Sequence, residues 1–152
     1  MPSSPVMKVL ATTILMLSLA ACGGKESLAP EEMQARAFAD FRAKIEAVVV
    51  DPTRREAILA QMTTLEAEFD ALKATVEQRR TELRQLYLDY DATRAQLEEV
   101  LTTHHARVRR ARKAVGDAHL ALISTTTEEE WAVLDEADTE AMKSLIALLQ
   151  AI

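Results

Sequence analysis

One cysteine, three glycines and four prolines stand in this chain of 152 residues, and their positions are as telling as their scarcity. Cys22 has no partner for an internal disulfide, so no disulfide framework holds the fold together. Gly23 and Gly24 follow it directly, which leaves Gly116 alone in the remaining sequence, and no proline follows Pro52. From Thr53 onward one glycine is therefore the only strong helix breaker. The same stretch is rich in Ala, Leu, Glu, Arg and Gln, residues that lose little on entering a helix. Aromatic residues make up only 4% of the chain, so the core must be largely aliphatic. Positive charge is not in excess either. The formal balance is −6, which argues against a nucleic-acid partner. There is no Gly-rich phosphate loop and no Gly-x-Ser-x-Gly, and no thiol remains outside Cys22. Neither catalysis nor a cofactor is expected, and a thin helical bundle offers no large pocket by default.

What is present begins with an apolar run over residues 9–21, preceded by Lys8. It has the length of a signal peptide and falls short of the roughly 20 residues that span a bilayer. A leader starting at Met7 has a basic residue directly before its apolar region, so Met7 is the expected start. The run ends in Leu19-Ala20-Ala21-Cys22, followed by Gly23. This stretch resembles the lipobox of bacterial lipoproteins: a Leu, two small residues and the Cys that becomes the lipidated N-terminus. The resemblance covers residues 7–23. It implies removal of residues 1–21 as a lipoprotein signal peptide, a diacylglycerol on Cys22, further acylation such as palmitate, and attachment to a membrane of the cell envelope. Thioether linkage would also cap a lone thiol in an oxidising compartment. In that family an Asp after the Cys retains the protein at the inner membrane. Gly23 implies the outer membrane, facing the periplasm, with the outer face of the inner membrane as the alternative. Loss of Lys8 with the leader takes the formal charge from −6 to −7.

Residues 22–30 read as a lipidated flexible tether, and residues 31–152 as one helical domain. Pro30 suits a first helical turn, with Glu31 and Glu32 near its positive end. Phe38, Phe41, Ile45 and Val48 form one stripe of a helix running from about 31 to 50. Asp51-Pro52 caps and opens a second helix, about 52–90. Its seam is Ile58, Met62, Leu65, Phe69, Leu72, Val76, Arg79, Leu83, Leu86 and Tyr90, in unbroken steps of four and three. Thr93 to Gln96 matches a capping box for a third helix, about 94–123. Its seam is Leu97, Leu101, His104, Val108, Ala111, Val115, Ala118 and Leu122. Folding back at residues 91–93 sets Phe69 near Ala118 and Leu72 near Val115. Thr127 to Glu130 is a second capping box, opening a last helix, about 127–152. That helix carries Trp131, Leu134, Ala141, Leu145, Leu148 and Ile152, and its end is apolar on more than one face. Burial against several neighbours is its expected use, and a docking surface is the alternative. The expected fold is all-α: an antiparallel helical bundle built on a long coiled-coil hairpin, whose tip, around Leu83 to Leu101, projects beyond the four-helix part.

The densest charge lies on the third helix. Arg107, Arg109, Arg110, Arg112 and Lys113 form a basic face suited to polyanion contact. Outside the cytoplasm the candidate polyanions are lipid headgroups and acidic wall polymers. A solvated face balanced by Glu77, Glu82 and the acids Asp135, Glu136, Asp138 and Glu140 accounts for the same residues. No metal site is expected. His104 and His105 point about 100° apart on a helix, and no His-x-x-x-His occurs. His104 lies on the seam and reads as a hydrogen-bonded core histidine. Arg79 either sets the register or snorkels to water. Tyr87 and Tyr90 either form a contact patch or seal the hairpin turn.

The expected function is that of a lipid-anchored helical protein working through protein–protein contacts, with a protein partner or a second copy of itself. A stress-type periplasmic chaperone or metal sensor is one alternative, because the small all-helical architecture is similar to the Spy-like family. That family's Leu-Thr-x-x-Gln motifs are absent here; Leu101-Thr102-Thr103-His104-His105 is the nearest approach and lacks the Gln. The other alternative is an envelope-polymer binder working through Arg107 to Lys113.

Overall fold

The computed structural model describes residues 28–151. The expected signal peptide, the lipobox Leu19 to Cys22, the tether up to residue 27 and Ile152 lie outside the described residues. Four helices follow in order: α1 (Pro30–Val48), α2 (Pro52–Leu88), α3 (Arg94–Thr125) and α4 (Glu128–Ala151). They form an antiparallel all-α bundle. The long hairpin of α2 and α3 is one pair, and α1 against α4 is the other.

Each boundary has a local cause. Pro30 occupies the first turn of α1, where a missing N–H costs nothing. The backbone N–H of Arg54 donates to Asp51 Oδ1 at 2.8 Å, so Asp51 caps α2. At α3, Gln96 N–H donates to Thr93 Oγ1 at 3.3 Å and Thr93 N–H donates to Gln96 Oε1 at 2.7 Å. At α4, Glu130 N–H donates to Thr127 Oγ1 at 3.2 Å and Thr127 N–H donates to Glu130 Oε2 at 3.0 Å. These are the reciprocal bonds of two capping boxes. α1 stops at Val48, two residues before the sequence pattern suggests, because the approach to Pro52 draws the chain into extended conformation. Val49 is thereby turned into the core, while Val48 is only partly buried.

The core sits in the four-helix part. Phe41, Ile45 and Val49 of the α1 segment meet Ile58, Met62 and Leu65 of α2, Leu122 of α3 and Leu134 of α4, all at 0% exposure. Full burial of one such side chain contributes about 1.5–3 kcal/mol. Phe38 and Phe69 join α1 to α2 edge to face, with ring centroids 5.7 Å apart. Phe69 and Ala118 both belong to this cluster. Arg42 donates to Glu66 at 2.7 Å across α1 and α2, and Arg54 pairs with Glu130 across α2 and α4.

Beyond this core the hairpin runs on alone. The buried part of the α2 seam ends at Leu72; Val76, Leu83 and Leu86 are half-buried against α3. The Lys73–Glu31 pair marks the level at which α1 begins. The end of α2 lies fifteen residues further on, about 22 Å at 1.5 Å per residue. The tip therefore projects from the same end of the bundle as the N-terminus of α1.

Candidate interaction surfaces

The basic stretch of α3 is divided by the geometry. Arg107 Nη1 donates to Glu82 Oε1 on α2 at 2.9 Å, which ties the hairpin together. Lys113 donates to Asp117, one turn further along its own helix, at 2.6 and 2.9 Å. The remaining three, Arg109, Arg110 and Arg112, form no ion pair among the described residues. Arg109 and Arg112 share a depression of about 610 Å³ with Arg79, His104, His105, Thr102 and Val108. Arg79, the one polar residue on the α2 seam, is exposed and opens onto this depression rather than into the core. His104 is 5% exposed, as a seam residue should be. It makes no hydrogen bond among the described residues, so it is not the hydrogen-bonded core histidine that its position suggests. Burial, with the charges of Arg79, His105 and Arg107, holds its pKa below the ordinary imidazole value.

A second constellation was not legible as a site. His119 Nε2 lies 3.0 Å from both carboxylate oxygens of Asp138, which joins α3 to α4. Asp138 is expected among the solvated acids of the last helix, yet it is 5% exposed. It occupies the seam position between Leu134 and Ala141, and that spacing was the available signal. The hydrogen bond to Asp138 raises the His119 pKa, with burial opposing it. The Trp131 ring stands edge-on to His119, centroids 6.3 Å apart.

Two apolar surfaces stand out among the described residues. A groove of about 670 Å³ runs between α1 and α4. Leu28, Met33, Ala37, Val133, Ala137 and Ala147 supply its apolar surface, and Arg36, Asp40, Lys44, Glu136, Glu140 and Lys143 rim it with both signs of charge. With the basic depression, this departs from the expectation that a thin bundle lacks sizeable hollows. At the hairpin tip Tyr87, Leu88 and Tyr90 are 77%, 72% and 104% exposed, so the tyrosines do not seal the turn. The C-terminal helix does bury its main apolar row, Leu134, Ala141, Leu145 and Leu148, leaving Ile146 exposed.

Among the described residues no three His, Cys, Asp or Glu side chains come together as a metal site, and no helix is long and apolar enough to cross a membrane. What the fold defines is an all-α helical bundle. Compared with protein-family models, curated proteins and solved structures, the chain matches none.

Proposed function

We propose that this chain is a lipid-anchored protein of the bacterial cell envelope, attached through Cys22, that works by contact with a protein partner. The observation that carries this reading is the lipobox-like stretch Leu19 to Cys22 at the end of an apolar leader. Anchoring needs more than one acyl chain, because each buried methylene contributes ~0.8 kcal/mol and a single chain binds only reversibly. A diacylglycerol on Cys22 meets that requirement. The contact surface we favour is the groove between α1 and α4. Its apolar floor and mixed-charge rim suit an amphipathic helix laid along it, with apolar anchors one turn apart.

Two measurements test the reading in its two parts. In cells given labelled palmitate, the wild-type chain takes up label and fractionates with membranes. The Cys22→Ser variant loses both; a variant that keeps both refutes the anchor. A photo-crosslinking residue at Val133, on the groove, yields one defined adduct in the envelope. The same residue at exposed Leu120, away from the groove, yields none. Equal crosslinking at the two positions refutes the groove.

A further inference from the structure

We propose that the depression between α2 and α3 is a binding site for a phosphate-class oxyanion, held by Arg79 from one helix and Arg109 and Arg112 from the other, with His104 facing it. This inference goes beyond the lipid-anchored reading and does not depend on it.

The lining carries three guanidinium groups and two imidazoles, and no carboxylate. The acid nearest in effect, Glu82, is committed to Arg107 at 2.9 Å. Like charges gathered around one hollow repel each other unless an anion is shared among them. Guanidinium groups present forked N–H donors that match phosphate oxygens two at a time, and a phosphomonoester has three terminal oxygens to divide among three such groups. A lone carboxylate would leave part of this donor set unused.

Two further observations point to a ligand rather than to a merely solvated face. Arg79 interrupts an otherwise apolar seam, so packing gives no reason for it, yet it opens onto this hollow. His104 is nearly buried and makes no hydrogen bond among the described residues, while no fully buried side-chain nitrogen or oxygen there lacks a partner. Its ring nitrogens are therefore not fully enclosed, and the residue lines the depression. His104 is faced by Arg79 and Glu82 from α2 and by His105 and Arg107 on its own helix. A bound dianion reverses the balance of that surround. His104 then gains a proton on binding the dianion.

The phosphate could belong to a free solute or to a lipid headgroup, since the hollow lies on the projecting hairpin, at the end of the bundle where α1 begins. The test uses the full chain, its Arg79→Gln and Arg109→Gln variants, and Arg110→Gln as a control outside the hollow. Calorimetric titration with inorganic phosphate and with pyrophosphate, at constant ionic strength, is expected to show one saturable site. Arg79→Gln and Arg109→Gln each weaken it about tenfold or more, while Arg110→Gln changes it less than about twofold. Circular dichroism checks that the variants keep their helix content. Absence of saturable binding overturns the proposal, as does equal weakening by Arg110→Gln. A second arm uses phosphatidylcholine vesicles doped with phosphatidic acid. Recruitment is read as the difference between vesicles with and without phosphatidic acid, so that binding through the leader or any lipid on Cys22, common to both, is subtracted. Recruitment lost in Arg79→Gln and competed by soluble phosphate supports the site and assigns the phosphate to a headgroup. Recruitment unchanged by Arg79→Gln, alongside saturable solution binding, supports the site and assigns it to a free solute.

Discussion

Replacing His119 separates two consequences of its bond to Asp138, one of stability and one of pH. The Asp138 carboxylate is 5% exposed, and His119 Nε2 lies 3.0 Å from both of its oxygens. His119→Ala removes this partner and leaves a buried carboxylate uncompensated. A fully buried pair broken in this way costs ~3–5 kcal/mol. The His119 side chain is 27% exposed, so water reaches the site and the cost falls to about 2 kcal/mol. For a chain of this size that lowers the thermal midpoint by roughly 6 °C. The pH dependence has a definite sign. Asp138 raises the folded pKa of His119 above its unfolded value of about 6.5. The pair therefore contributes fully below about 6.5, and its contribution is lost as pH rises through the higher folded pKa. His119→Gln keeps a donor but cannot titrate, so it flattens this alkaline limb while costing about 1 kcal/mol. Denaturant unfolding across the imidazole range measures both effects. Trp131, the only tryptophan, lies beside the ring, so its fluorescence follows His119 protonation in the folded state. His104 cannot mimic the result. Its pKa is lowered, chiefly by burial, so its effect appears on the acid side and with the opposite sign. An alkaline limb that survives in His119→Gln, or a loss below about 0.5 kcal/mol in His119→Ala, would refute the reasoning.

Three other outcomes are expected. Gly116→Ala stabilises by about 0.5–1 kcal/mol in urea unfolding, because the position is helical and a Cβ built there meets nothing within 4 Å. Phe41→Ala, at 0% exposure in the centre of the core, lowers the unfolding free energy by about 3–5 kcal/mol, with little change in the denaturant slope. The double change Tyr87→Ser and Tyr90→Ser leaves stability within about 0.5 kcal/mol, because both rings stand in water; a larger loss shows that they support the turn.

The sequence is most readable where one helix packs on another through a repeat. From Ile58 to Leu72 and at Ala118 and Leu122, steps of four and three select the buried residues, because a heptad stripe must face its partner. All three side-chain caps are also local: Asp51, Thr93 and Thr127 bond to groups three residues away. The pattern is less informative about depth. Val76, Leu83 and Leu86 continue the same seam but are half-buried, since only two helices cover them. Tyr90 falls on the seam by count and lies past the end of α2, where the period no longer applies. Asp138 shows the converse. Its slot between Leu134 and Ala141 is legible, yet its partner depends on how α3 crosses α4, which no local spacing encodes. The basic face divides in the same way. Lys113 and Asp117 are readable as neighbours four apart, whereas Arg107 with Glu82 and the meeting of Arg79 with Arg109 need the hairpin register.

The two ends of the bundle are built for different work. Where four helices meet, fully buried side chains fix the fold, and the groove between α1 and α4 lies on that part of the surface. Along the projecting hairpin two helices share a half-buried seam, so residues there are free to carry charge without disturbing the core. Local opening is also easiest where apolar contacts are few, which favours adjustment around a ligand. Under the anchoring proposed for Cys22, the length of the tether becomes important. A tether of about eight residues reaches at most ~28 Å from the start of α1. The hairpin tip extends about 22 Å from that same level and at the same end. The two lengths are commensurate. At the tip Tyr87, Leu88 and Tyr90 stand exposed. The basic depression lies between this tip and the core.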